Sequence, residues 1–277
     1  MPPSSSPSSA SADEPTAESK RQRRIQSIEV GMRVLDALTH AAQPLPLKDI
    51  ARLADMSPPK AHPYLVSFMN VGLVKQHPLT GLYELGPRAL QLGLAALQQL
   101  DPVTEASQEA ALLATTSDLS IALAVWGQLG PTVVRLDEPR YPLHVNLRVG
   151  TVMSLFNTIT GRVFATYLPE KMVRTMLEDE HRRVVGGPSE AFDSPEYQQL
   201  LADIRASGMG RGLSMPQPGV NTLCAPVFAA DGKIALVITM IGPQGVFDAQ
   251  IDGPAGRLLR THADNVSRRL GYAGPKN

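Results

Sequence analysis

Few residues in this chain could do chemistry, and their spacing suits contact with a polyanion better than catalysis. Lys48, Arg52, Ser57, Lys60, His62 and Tyr64 fall within two short helical patterns. Cationic, hydroxyl and imidazole groups so placed bond phosphate oxygens and base edges. Arg23 and Arg24, with Lys20 and Arg21, form a basic run just upstream, suited to an arm that reaches a neighbouring groove. The other candidates do not converge. His62 and His77 have no carboxylate or cysteine at metal-ligand spacing, so neither a metal site nor a cofactor is expected. Cys224 is the only cysteine and lies in an apolar run, which excludes an internal disulfide and a cysteine zinc site. The acidic pairs at Asp137-Glu138 and Glu178–Glu180 fall at strand and helix ends. Gly208–Gly212 follows a helix rather than opening one, so it is no phosphate loop.

The elements that position the first group read as a winged helix-turn-helix. Leu47, Ile50, Ala51 and Ala54 have helical spacing. Asp55 suits the left-handed turn that follows. Ser57 is expected to cap a second helix with Pro58 and Pro59 in its first turn, Ala61, Tyr64, Leu65 and Phe68 inward, and Gly72 at its end. Leu73-Val74 and Leu82–Leu85 read as short strands around a Pro-Leu-Thr-Gly turn. An upstream helix from Ser27 to about Ala41, with Ile28, Met32, Leu35 and Leu38 inward, completes a three-helix core.

After Gly86-Pro87 the run Arg88–Leu100 is helical and broadly apolar, wider than solvent tolerates. A second copy of the same helix is its natural cover, and charges at Leu92 and Leu97 are expected to weaken such a dimer. Pro102–Thr116 opens a second domain. The period then changes to two, with strands expected in SIALAVW, PTVVRLDE and PLHVNLRV, then at Asn221–Phe228 and Lys233–Ile241. Helices are expected at Thr158–Leu168, from Pro169, after Ser194, and from Gly253 to Leu270, with His181–Phe192 a loop. The fold class is α+β, an antiparallel sheet with helices on it. The expected division is a disordered Ser/Pro-rich tail at 1–19, a DNA-binding domain at 20–87, a linker helix at 88–101, an α+β domain at 102–272 and a tail at 273–277.

Composition is consistent with this. The 277 residues are 43% hydrophobic, with no run long enough to span a membrane and no secretory signal pattern, so a cytoplasmic location is expected. Net charge is zero overall. From Lys20 to Leu90, however, ten Lys/Arg face only Glu29, Asp36, Asp49, Asp55 and Glu84. One basic domain beside a compensating acidic remainder is expected when only the first meets DNA.

Over about Arg24 to Leu270 the chain resembles the IclR-type transcriptional regulators. The resemblance is carried by Gln26-Ser27, Leu47–Gly72, the wing Thr80–Pro87, Leu147–Gly150, Thr160–Val163, Gly219–Asn221, Ala225–Val227 and Gly242-Pro243. It implies a winged helix-turn-helix joined by a helix to a GAF-like effector domain, binding a double-stranded operator as a homodimer or dimer of dimers. It also implies control of operons by small organic, often aromatic, acids. Two stretches depart from the family pattern. Lys60-Ala61-His62-Pro63 has proline where an arginine is common. Ser154–Thr158 with Gly161-Arg162 replaces a Pro-Leu-His segment and Gly-Lys. By the same resemblance the effector pocket draws on Val145, Leu147, Met153, Ile159 and Thr160, with Thr222, Thr239 and Ile241 from later strands. Asn157–Gly161 supply the physical case: Asn157 or Thr158 caps a helix whose first N–H groups suit a carboxylate. The alternative is a GAF-like redox enzyme using Cys224, with the N-terminal part serving assembly.

Overall fold

The computed structural model describes residues 25–41, 43–139, 147–183 and 192–274. The tail expected at 1–19, together with Arg23, Arg24, Val145 and the last residues of the expected C-terminal tail, lies outside them. The chain divides into two compact units between Gln99 and Leu100.

The first unit runs α1 (Gln26–Ala41), α2 (Leu47–Leu53), α3 (Pro58–Asn70), β1 (Val74–Gln76), β2 (Tyr83–Leu85) and α4 (Pro87–Gln99). Asp55 takes the left-handed conformation (φ 50°) between α2 and α3, as its type suggests. The expected cap by the Ser57 side chain is not made. Two of the first three helical residues are prolines without N–H groups, and the third, Lys60, donates to the Ser57 carbonyl at 3.0 Å. The inward face of α1 also differs from expectation. Val30, Val34, Ala37 and Leu38 are buried, whereas Ile28 is 61% and Met32 46% exposed. Both stripes have helical spacing. Gly31 decides between them, because a Cβ there would stand only 3.0 Å from the Phe68 ring and 3.2 Å from Tyr64, so α3 closes on that side. The β1–β2 hairpin pairs Lys75 with Glu84 and Gln76 with Tyr83, and Tyr83 also bridges to Leu45.

The second unit runs α5 (Pro102–Ser117), β3 (Ser120–Gly127), β4 (Gly130–Asp137), α6 (Ile159–Tyr167), α7 (Glu170–Arg183), α8 (Pro195–Ser207), β5 (Gly210–Gly212), β6 (Val220–Phe228), β7 (Ile234–Pro243) and α9 (Pro254–Arg269). The strands form one antiparallel sheet in the order β4-β3-β7-β6-β5. Alternate residues face opposite layers. Leu223, Ala225 and Val227, with Leu236, Ile238 and Met240, meet α5 and α9. Cys224 and Val237 meet α6, α7 and α8 on the other face. Both faces are buried, so β6 and β7 read as near-continuous apolar runs. On the α5–α9 side the Glu109 carboxylate accepts hydrogen bonds from His262 Nδ1 and Arg269, tying the two helices together.

Three expectations are corrected. The strand expected in PLHVNLRV is not seen where it is described: Leu147-Arg148 are irregular, Val149-Gly150 form a turn, and Val152 makes one bridge to Thr132. Residues 140–146 lie outside the described ones. α7 extends to Arg183, into the first residues of the loop expected from His181. Strand β5 was not foreseen, because Gly-Arg-Gly has little strand propensity. A Cβ on Gly210 or Gly212 would come within 2.6 Å of Ile159, so only glycine lets α6 lie this close to the strand.

Candidate DNA-contact face and ligand cavity

In the first unit, α3 buries Ala61 and Leu65 completely and turns its opposite side outward. Ser57, Lys60 and His62 are exposed there, as are Lys48 and Arg52 on α2. Arg52 sits 3.5 Å from Asp49, an exposed pair that constrains it little. Tyr64 is placed differently from the other expected contact residues. It is half-buried, its ring against Gly31 of α1. Pro63, where the resemblance led an arginine to be expected, is outward on α3, and so are Pro59, Val66 and Asn70, which were not expected as contact residues. In the wing, His77 Nδ1 accepts from the N–H groups of Leu79 and Thr80, and Gln76 Nε2 donates to the Gly81 carbonyl at 2.8 Å. The turn is therefore braced from within.

In the second unit a cavity of about 330 Å³ opens between the interior strands β6 and β7 and the start of α6. That is the size of a small-molecule site. It is lined by Leu147, Met153, Thr158, Ile159, Thr160, Thr222, Thr239 and Ile241, all anticipated, by Ser154 of the expected effector loop, and by Thr151, Val152, Pro216, Gln217 and Val220, which were not anticipated. No charged side chain lines it among the described residues. Asn157 is exposed and does not line the cavity; Thr158 is the N-cap, its hydroxyl accepting from Gly161 N at 3.0 Å. Gly161 also stays behind the wall. A Cβ there would stand 2.1 Å from the Ser154 carbonyl oxygen, so its absence lets the helix start seat on the Ser154-Leu155 backbone. With Gly161 N and Arg162 N taken up by Thr158, the remaining N–H groups of the first turn are those of Ile159 and Thr160, and both residues line the cavity.

The walls are held from behind. Leu155 N donates to Glu180 Oε2 at 2.9 Å, and Leu155 O accepts from the Tyr197 hydroxyl at 3.0 Å. Arg162, 8% exposed, donates from Nε to Phe156 O at 2.9 Å and reaches Met215 Sδ at 3.9 Å, gripping both loops that flank the opening. Its burial lowers the guanidinium pKa. Ser214 and Asn221 brace the loop that carries Pro216 and Gln217, Ser214 N donating to Asn221 Oδ1 at 3.2 Å and Ser214 Oγ to Gln244 Oε1 at 2.7 Å.

The cavity's hydroxyls differ in state. Thr160 and Thr239 share a hydrogen bond at 2.9 Å, and Thr239 lies 3.3 Å from Cys224 Sγ. The Thr222 hydroxyl is buried and meets no partner among the described residues. An orphaned buried hydroxyl costs roughly 1–3 kcal/mol. Thr222→Val is therefore expected to stabilise the ligand-free protein by about 1 kcal/mol in urea unfolding. The same change should weaken binding of any ligand that uses this oxygen.

Cys224 is fully buried, and burial pushes its thiol up to about 11, against its bonds to Thr239 and Thr160. A thiol held protonated is a poor nucleophile. No group of three or more His, Cys, Asp or Glu that could hold a metal is found among the described residues. No helix among them is long and apolar enough to cross a membrane.

Residues 27–78 match the IclR helix-turn-helix domain, and residues 94–268 match the C-terminal domain of the bacterial transcriptional regulator IclR. The glycerol operon regulatory protein of Streptomyces griseus is 30% identical over 258 residues, which span 90% of this chain and 98% of that protein. The crystal structure of Pseudomonas aeruginosa HmgR is 36% identical with a TM-score of 0.81, over 91% of this chain and all of that one. The Agobacterium tumefaciens repressor BlcR shares the fold at 21% identity and a TM-score of 0.71, over 90% of this chain and 99% of its own.

Proposed function

Because this chain belongs to the IclR family of DNA-binding transcriptional regulators, not enzymes, we propose that a small carboxylic acid with an apolar or aromatic body binds in its cavity and changes its affinity for an operator. The observation that carries the ligand reading is the combination at one cavity wall of a helix start and the orphaned Thr222 hydroxyl. A helix N-terminus favours an anion, typically by 0.3–1 kcal/mol and by up to ~2 kcal/mol when partly buried. Thr160, Thr222 and Thr239 can orient a carboxylate. Leu147, Met153, Val220 and Ile241 suit an apolar body better than a sugar or polyphosphate. The redox alternative built on Cys224 finds no support.

The DNA-contact set is Ser57, Lys60 and His62 at the front of α3, with Lys48 and Arg52 on phosphates. Assembly follows from α4, where Leu90, Leu92 and Leu94 are 65%, 57% and 50% exposed and no charged residue follows Arg88. A second copy covering this stripe gives a dimer whose two winged units read a pseudo-palindrome with half-sites about one helical turn apart, or a multiple of it. The relative from Streptomyces griseus is named for an operon, and control of an operon is the role proposed here. Footprinting of the purified protein on DNA upstream of its own gene and its neighbours tests the reading. Two protected half-sites whose occupancy changes with a small acid are expected. Absence of any protected site at low salt would overturn it.

A further inference from the structure

The part of α3 that projects furthest from the core carries almost no hydrogen-bonding capacity. Taken at 100° per residue around the helix, the direction opposite the face formed by buried Ala61 and Leu65 and half-buried Tyr64, Phe68 and Met69 is occupied by Pro59, Pro63 and Asn70, with Val66 next on one side and Ser67 on the other. His62 lies beyond Val66 on the first side, and Lys60 beyond Ser67 on the second. The Ser67 hydroxyl is turned back onto the Pro63 carbonyl at 2.9 Å. Pro59 and Pro63 have no N–H and no polar side chain, and Val66 offers only methyl groups. Asn70 stands eleven residues beyond Pro59, about 16 Å along the axis, at the end of the helix away from the one that leads into a groove.

Such a surface cannot make the bidentate bonds that arginine, asparagine or glutamine make to purine edges. The one major-groove feature that an aliphatic surface complements is the C5-methyl group of thymine. We infer that the stripe Pro59–Pro63–Val66 reads thymine methyl groups, so that each half-site places thymines of consecutive or near-consecutive A·T pairs against α3, with His62 as the polar reader beside them. This deepens the operator-binding reading and rests on it.

Removing the methyl group alone tests the inference. Sites are first selected from a pool of random duplexes with the full-length protein, and deoxyuridine then replaces thymine one position at a time. The substitution leaves base pairing and the minor groove unchanged. At two or three positions of each half-site, deoxyuridine is expected to weaken binding about fourfold, the factor corresponding to ~0.8 kcal/mol for one buried methylene-sized group. Pro63→Ser, which restores the helix N–H, and Val66→Ser should each abolish the penalty at one position. Each should bind the corresponding deoxyuridine site within about twofold of the parent protein. Uniform tolerance of deoxyuridine by the parent protein would overturn the inference while leaving operator binding intact. Failure to retain any duplex would overturn both.

Discussion

Glutamate at both Leu90 and Leu94 is expected to yield a monomer that binds the operator at least a hundredfold more weakly. The two side chains lie one turn apart on α4 and, with Leu85, Ala89 and Gly93, border a shallow apolar groove. Burial of a leucine contributes about 1.5–3 kcal/mol, so a symmetric contact covering these residues on two copies provides a substantial part of a stable association. A carboxylate in their place would have to be desolvated there or the contact abandoned. Operator affinity falls with it, because two linked winged units gain a factor of about 10²–10⁴ over one. Leu92 points around the helix from this pair, and the Leu97 side chain lies outside those described, so Leu90 and Leu94 replace the pair suggested by sequence. Sedimentation velocity and operator titration on the same sample check the result. A dimer that persists in the double variant would put the interface elsewhere, the exposed Ile25, Ile28 and Met32 being the next apolar stripe to alter.

Replacing Thr160 and Thr239 together by valine should leave folding and operator binding unchanged while abolishing the response to ligand. The change is isosteric, and the two hydroxyls are hydrogen-bonded to each other, so removing both strands only the weak donor of Cys224. Deleting both partners of a buried bond in this way is close to neutral. The ligand has no such compensation. The hydroxyl that does not donate to the other is left to donate to a carboxylate, and losing that bond, worth about 1.5–3 kcal/mol, lowers affinity by roughly ten- to 150-fold. Calorimetry of the double variant with an acid that binds the parent protein decides the matter. Unaltered affinity would show that the ligand sits elsewhere.

Local signals were readable in the sequence, and long-range ones were not. The turn at Asp55, the capping of α8 by Ser194, the helix beginning near Thr158 and the β6–β7 pair are each specified by a few adjacent residues. The wall from Met153 to Thr160 was legible for that reason. Pro216, Gln217 and Val220 reach the same cavity only because β5 pairs with β6, and that strand is hidden by the glycines that α6 requires. On α1, two apolar stripes compete, and the choice rests on Gly31 meeting rings from α3, a contact between elements that periodicity does not encode. On α3 the inward turn of Tyr64 follows from its helical spacing, so a DNA contact by Tyr64 conflicts with the face that the same spacing gives it, and the exposed Pro59 and Val66 carry no polar group to mark them as contact positions.

Control of operator affinity by a carboxylate seated at the start of α6 can be read out with paired ligands. A labelled operator duplex is titrated with the protein alone and with saturating amounts of small monocarboxylic acids, from propionate-sized to arylacetate-sized, each compared with its primary amide. The amide keeps the shape and removes the charge. At least one acid is expected to shift operator affinity five- to 150-fold, the range of about 1–3 kcal/mol of coupling, while its amide shifts it by less than about twofold. Amides that act as strongly as their acids, or a full series without effect on a protein that binds its operator, would contradict the claim.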